Sequence, residues 1–211
     1  MESLDFSSLR LRYTREGPST ELAASFNEML YAYFAAHARV LPWRTNPSPY
    51  NVFISEVMLQ QTQVSRVIVK FSEFIVLFPD FPSLAAAPLD RLLAAWSGLG
   101  YNRRALMLKK AAEVICSHHA GVLPADRTML EKLSGIGSAT AASIAAFAFN
   151  VPTECIETNI RAVLIHIFFP YENAVSDVDL RPFLIVLLDR REPRKWYFAM
   201  MDLYRRKLTF G

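Results

Sequence analysis

The chain has 211 residues, 52% hydrophobic and 20% charged, with a formal net charge of +3. Roughly 70% of the unfolded chain's surface can be buried at this length, and so apolar and weakly charged a composition excludes disorder as the main state. No apolar run approaches the ~20 residues of a membrane span, and the seven glycines and twelve prolines show no collagen-like period.

Residues 1–10 carry Glu2 and Asp5 and no apolar core, so no secretory signal is expected and the default location is the cytoplasm or nucleoid. Residues 21–37 place Leu22, Phe26, Leu30 and Phe34 at steps of four, with Met29 and Tyr33 beside them, which is one apolar stripe on a helix. A Pro-rich break follows at Pro42, Pro47 and Pro49. Stretches 52–60 and 64–78 predict two helices, ended by Pro79-Asp80. Pro82-Ser83 and Pro88-Leu89-Asp90 open short helices, with Ser83 and Asp90 as caps or first-turn acids. Residues 103–119 predict an amphipathic helix whose basic face holds Arg103, Arg104, Lys109 and Lys110. A short helix at 126–133 precedes a small-residue helix at 138–149 that admits a close neighbour. Helices at 159–169 and 180–189 continue the pattern, and Pro193 starts the last one, 194–207. Strand signals at 74–78 and 163–169 have helical flanks, and no Asn-Gly or Asp-Gly hairpin turn occurs. The expectation is an all-α protein, helices packed on helices in two lobes.

Three segments carry candidate chemistry. Leu133-Ser134-Gly135-Ile136-Gly137-Ser138 joins a short helix to a longer one through a Gly-x-Gly turn. The glycines let the backbone approach another molecule, and the amides opening the second helix make a phosphate seat; the alternative is a plain helical hairpin turn. Ser55-Glu56-Val57-Met58-Leu59-Gln60-Gln61-Thr62-Gln63 sets a carboxylate in an apolar helix before a run of uncharged amides able to read base edges. Glu56 stands either on a solvated face or in a cleft with a raised pKa. In Ile156-Glu157-Thr158-Asn159-Ile160-Arg161, Thr158 or Asn159 would be an ordinary N-cap and Glu157 a solvated acid at a helix start. Cys116 and Cys155 read as free thiols, too few for a tetrahedral zinc site or a four-thiolate cluster. His118 and His119 lack acidic or cysteine partners at ligand spacing, and Asp177 and Asp179 look like helix-start acids.

Taken together, residues 41–163 resemble the helix–hairpin–helix DNA glycosylase superfamily, and within it the MutY-type adenine glycosylases. The matching pieces are Leu41-Pro42-Trp43-Arg44, Pro49-Tyr50, the segment Ser55 to Val64, Trp96-Ser97-Gly98-Leu99-Gly100-Tyr101, the hairpin and Thr158-Asn159-Ile160-Arg161. A weaker match is Ala199-Met200-Met201-Asp202-Leu203. The resemblance implies a two-lobed helix–hairpin–helix DNA glycosylase fold with a DNA-binding cleft between lobes. Residues 46–151 would form the lobe with the hairpin, and 1–45 with 152–211 the other. It implies Glu56 as the acid at the leaving base and Glu157 where the family has its catalytic Asp, with Asn159 beside it. Trp43 and Arg44 would line the base pocket. Gln60, Gln61, Thr62, Tyr101, Arg104, Gly135, Gly137, Ser138 and Thr140 would meet DNA. The implied partner is double-stranded DNA with a mismatch or damaged base, bound by a monomer, with no membrane.

The chain departs from the family in four places. Glu157 is one methylene longer than Asp. Ala139 stands where the endonuclease III relatives carry a Lys, so a monofunctional glycosylase without lyase activity is expected. No cysteine cluster precedes Gly211, so no iron–sulfur cofactor is expected, although the hairpin leaves room for a monovalent cation. The domain by which MutY reads 8-oxoguanine is absent from these residues, and Asn102 replaces a second Tyr. Adenine is the favoured base; a uracil- or thymine-mismatch glycosylase and a non-catalytic lesion-binding protein are the alternatives. Arg190, Arg191, Arg194, Lys195, Arg205, Arg206 and Lys207 would add sequence-independent phosphate contacts.

Overall fold

The computed structural model describes residues 6–207, with side chains through Tyr204. Glu2, Asp5 and the side chains of Arg205, Arg206 and Lys207 lie outside the described residues. Among these there are thirteen helices and no strand. In chain order they are α1 (Ser7–Glu16), α2 (Thr20–His37), α3 (Pro42–Thr45), α4 (Pro49–Leu59), α5 (Val64–Leu77), α6 (Phe81–Ala85), α7 (Leu89–Trp96), α8 (Arg103–His119), α9 (Arg127–Leu130), α10 (Ser138–Phe149), α11 (Thr158–Phe168), α12 (Asp177–Leu187) and α13 (Pro193–Lys207). No helix among the described residues is long and apolar enough to cross a membrane.

Local chemistry sets most of these boundaries. The Ser48 hydroxyl accepts the Asn51 amide at 3.1 Å, with Pro49 at the first helical position of α4. Asp80 and Ser83 close a capping box on α6, so Asp80 rather than Ser83 is the cap. Asp126 caps α9, and Ser176 with Asp179 forms a second capping box on α12. The two stretches with strand propensity lie in α5 and α11, where their apolar residues recur at helical spacing.

The chain divides into two compact units, one holding Val40–Phe149 and the other joining the stretches that end at Arg39 and begin at Asn150. The expected division fell at 45/46 and 151/152. The difference at the first boundary follows from α3, read from sequence as a Pro-rich break. It is a helical turn whose Trp43 is 5% exposed and meets Phe71 of α5 edge-on at 5.4 Å.

In the unit 40–149, α10 packs on α4, which also meets α5 and α8. Residues Ala141 to Ala148 are all buried. A helix apolar on every side belongs inside a protein, and small side chains let α4 lie close against it. Phe53, Ile54, Met58, Phe74, Leu84 and Trp96 complete this core.

In the other unit, α2 packs on α12 and α13, and α11 on α12 and α13. The buried stripe of α2 is Leu22, Phe26, Leu30 and Tyr33, with Phe34 displaced to a half-buried position. Helix α1 gave no sequence signal, since Leu9 is its one buried residue. Arg10 docks it on α11, its Nε donating to Ile167 O at 2.7 Å and Nη2 to His166 O at 2.9 Å. A cation on the last carbonyls of a helix is favourable there.

Candidate active site

In the unit 40–149, Glu56 is half-buried on α4, between the fully buried Ser55 and the buried Val57. Its helix is buried on most sides, so Glu56 occupies a narrow face rather than an open solvated one.

Helix α4 runs into a tight loop. Gln60 turns its side chain to the hairpin, Nε2 donating to Gly135 O and Thr140 Oγ1, both at 3.2 Å. Gln61 is exposed with φ 54°, and Tyr101, 66% exposed, has φ 49°. Residues other than glycine with φ in this range are strained by about 1–3 kcal/mol and persist where their surroundings fix them.

Arg104 corrects the sequence reading. It was expected on a basic face meeting DNA; it is 8% exposed and faces inward. Its Nη1 donates to the carbonyls of Val57 (3.0 Å), Met58 (2.9 Å) and Gln60 (2.7 Å). Its Nη2 donates to Leu99 O and Gly100 O, both at 3.0 Å, and to Thr62 Oγ1 at 2.9 Å. The guanidinium also lies 5.3 Å from the centre of the Trp96 ring and 5.7 Å from that of Tyr101. Lys109 leaves the basic face too, donating to Ala85 O and pairing with Glu113 at 3.2 Å. Arg103 and Lys110 remain exposed.

The hairpin is anchored by buried Leu133 and Ile136. Gly135 has φ +81°, and a Cβ there would stand 3.0 Å from Met107 Cβ. Around Gly137 a Cβ would meet nothing within 4 Å. Gly137 O accepts the Ala141 amide at 2.9 Å, so the helical bonding of α10 opens at the second glycine. Arg127, which the sequence did not single out, donates to Ser138 Oγ at 2.5 Å and to Glu131 Oε1 at 2.9 Å.

In the other unit, Glu157 is itself the N-cap of α11, where Thr158 or Asn159 had been the ordinary candidates. Its Oε1 accepts the Ile160 amide and its Oε2 the Asn159 side-chain Nδ2, both at 3.0 Å. Burial raises its pKa above the usual glutamate value, opposed by the amides of Asn159 and Ile160 and by the Asn159 side chain. Tyr197 of α13 fixes the approach to this carboxylate. Its buried hydroxyl accepts the Cys155 amide at 3.0 Å and donates to Thr153 O at 2.7 Å. Asp202, in the weak terminal match, is a structural acid that accepts from Arg39 N at 2.9 Å and Arg39 Nε at 2.5 Å.

An all-helical protein with a Gly-x-Gly hairpin opening a helix, and with a carboxylate held by the first turn of another, matches a known family. The chain belongs to the HhH-GPD superfamily of base excision DNA repair proteins, which matches residues 54–180. It is 39% identical over 143 residues to an adenine DNA glycosylase of Buchnera aphidicola subsp. Baizongia pistaciae, covering 68% of this chain and 41% of the relative. It is 35% identical over 183 residues to that of Buchnera aphidicola subsp. Acyrthosiphon pisum, covering 84% and 52%. The chain thus spans about half the length of the curated relatives it matches. Among solved structures, a thermostable thymine-DNA glycosylase superposes with a TM-score of 0.78 at 24% identity, covering 87% of this chain and 86% of that one. A non-covalent endonuclease III–DNA complex gives 0.70 at 19% identity, covering 87% and 84%. At these identities the likeness is one of fold.

Proposed function

We propose that the chain is a DNA glycosylase that removes adenine from a mispaired or damaged site in duplex DNA, by hydrolysis and without strand cleavage. The observation that carries this reading is Glu157, a half-buried carboxylate gripped at both oxygens by the start of α11, in a chain whose relatives are named adenine DNA glycosylases. The target nucleotide must leave the stack to be reached, at a cost of a few kcal/mol that is least for a weakened pair.

The C1′–N9 bond then breaks with its electron pair passing to the base. Glu56, in its acid form, gives a proton to the departing ring. Ionised Glu157, one methylene longer than the Asp of its relatives, faces the positive charge growing at C1′. A water adds to C1′ and its proton passes to the carboxylate or to solvent. Two carboxyl groups held in different protonation states are what glycosidic cleavage requires. Burial raises the pKa of Glu157, and the donors of Asn159 and Ile160 oppose that shift by stabilising the ionised form.

Ala139 offers no amine at the start of α10, and borohydride should trap no covalent adduct with a substrate duplex. The base is identified by incubating the protein with duplexes carrying A:G, A:8-oxoguanine, U:G, T:G or hypoxanthine, then opening abasic sites with alkali. The reading expects breaks at adenine. Breaks only at U or T would make it a pyrimidine-mismatch glycosylase, and tight binding with no product a lesion-binding protein.

The two glycines of the hairpin separate folding from binding. Gly135→Ala is expected to destabilise the protein by about 1–3 kcal/mol, through positive φ and the clash at Met107. Gly137→Ala should melt like wild type and bind duplex more weakly, because the added methyl enters the space a phosphate would take. Calorimetry and a filter-binding titration check the pair.

A further inference from the structure

Six oxygens surround the Arg104 guanidinium, five of them backbone carbonyls, and among the described residues no carboxylate pairs with it. A buried charge whose hydrogen bonds all go to neutral groups, with Nε left without an acceptor, is a costly arrangement. What it accomplishes follows from two of its acceptors. Gln60 O belongs to the peptide that leads into Gln61, and Gly100 O to the peptide that leads into Tyr101. Gln61 and Tyr101 are two of the four residues other than glycine with positive φ among the described residues, and both are exposed. Since φ is measured from the preceding carbonyl, one planar guanidinium fixes the frame of both strained residues at once. The Tyr101 ring lies against the same group, and Thr62 Oγ1 accepts from its Nη2.

We infer that Arg104 is a positioning residue that presets Gln61 and Tyr101 as a pair of probes entering the duplex stack beside the everted nucleotide. The inference rests on the reading that the protein acts on a base turned out of duplex DNA. Only arginine has a flat fork of five donors able to span two loops; a lysine would keep the charge but offer a single point.

The test uses the whole chain and duplexes with 2-aminopurine at the target position, whose fluorescence rises on unstacking. Wild type should raise the signal. Arg104→Lys should keep its affinity for undamaged duplex, which depends on phosphate contacts elsewhere. It should lose most of the fluorescence rise and release base roughly 10²-fold more slowly, as expected for displaced groups. Thr62→Val, which removes one acceptor and leaves the charge, should show a smaller loss of the same kind with an unchanged melting temperature. It decides the question if Arg104→Lys does not fold. A folded Arg104→Lys, or a Thr62→Val where the lysine variant fails to fold, with wild-type fluorescence and release overturns the inference alone. A wild type that unstacks no base in any duplex overturns both the inference and the functional reading beneath it.

Discussion

Glu157→Gln is expected to slow single-turnover adenine release by roughly 10³-fold, the scale set by losing a fixed charge aimed at a transition state. The amide keeps the shape of the side chain, and its oxygen can still accept from the Ile160 amide that now binds the carboxylate, so the helix start should survive. What disappears is the negative charge that the proposed mechanism sets opposite C1′. Because burial raises the pKa of Glu157, its ionised form costs folding free energy. The stability it allows is full below its unfolded pKa and is lost as pH rises through the folded one. The glutamine variant should therefore melt no lower than wild type at neutral pH, and its relative advantage should shrink in acid. In the wild type, release should fail on acidification above the ordinary glutamate range, since a raised pKa takes up its proton earlier. An acidic limb at or below that range would contradict the assignment. Duplex affinity, measured separately, should be nearly unchanged.

Glu56→Gln is expected to cost about 10²–10⁴-fold, the usual worth of a positioned general acid. It stands on a helix whose other faces are committed to the core, and the isosteric amide keeps the size of the side chain while removing its acidic proton. The loss should be largest for adenine, a poor leaving group until its ring is protonated, and smaller for a base that departs as a stabilised anion. Comparing release of adenine and uracil by the same variant reads that difference. Equal losses for both bases would mean that Glu56 only shapes the protein.

Helices announced by their own sequence were legible. The small-residue run of α10 and the apolar stripe of α2 define those elements because each helix's burial is written in its own spacing. What was hidden depends on distant backbone. Arg104 stands beside Arg103 in sequence and reads as one of a basic face, yet its acceptors are mostly carbonyls at the distant end of α4 and in the turn just before its own helix, and carbonyls leave no mark on residue identity. Gln60 is hidden for the same reason, its amide held by the hairpin rather than turned outward. Glu157 as a helix cap went unread because Asp, Asn, Ser and Thr dominate that position. Helix α1 was unread because a side chain of its own docks it on the carbonyls of another helix.

Whether the two acids serve one bond-breaking step is measured by a double-mutant cycle on single-turnover adenine release, with wild type, Glu56→Gln, Glu157→Gln and the double variant. Groups that act as a unit are strongly non-additive. The double variant should be about as slow as the slower single one, with all variants folded and binding duplex. Losses that simply multiply, or release undiminished by either change, would contradict the pairing of Glu56 with Glu157.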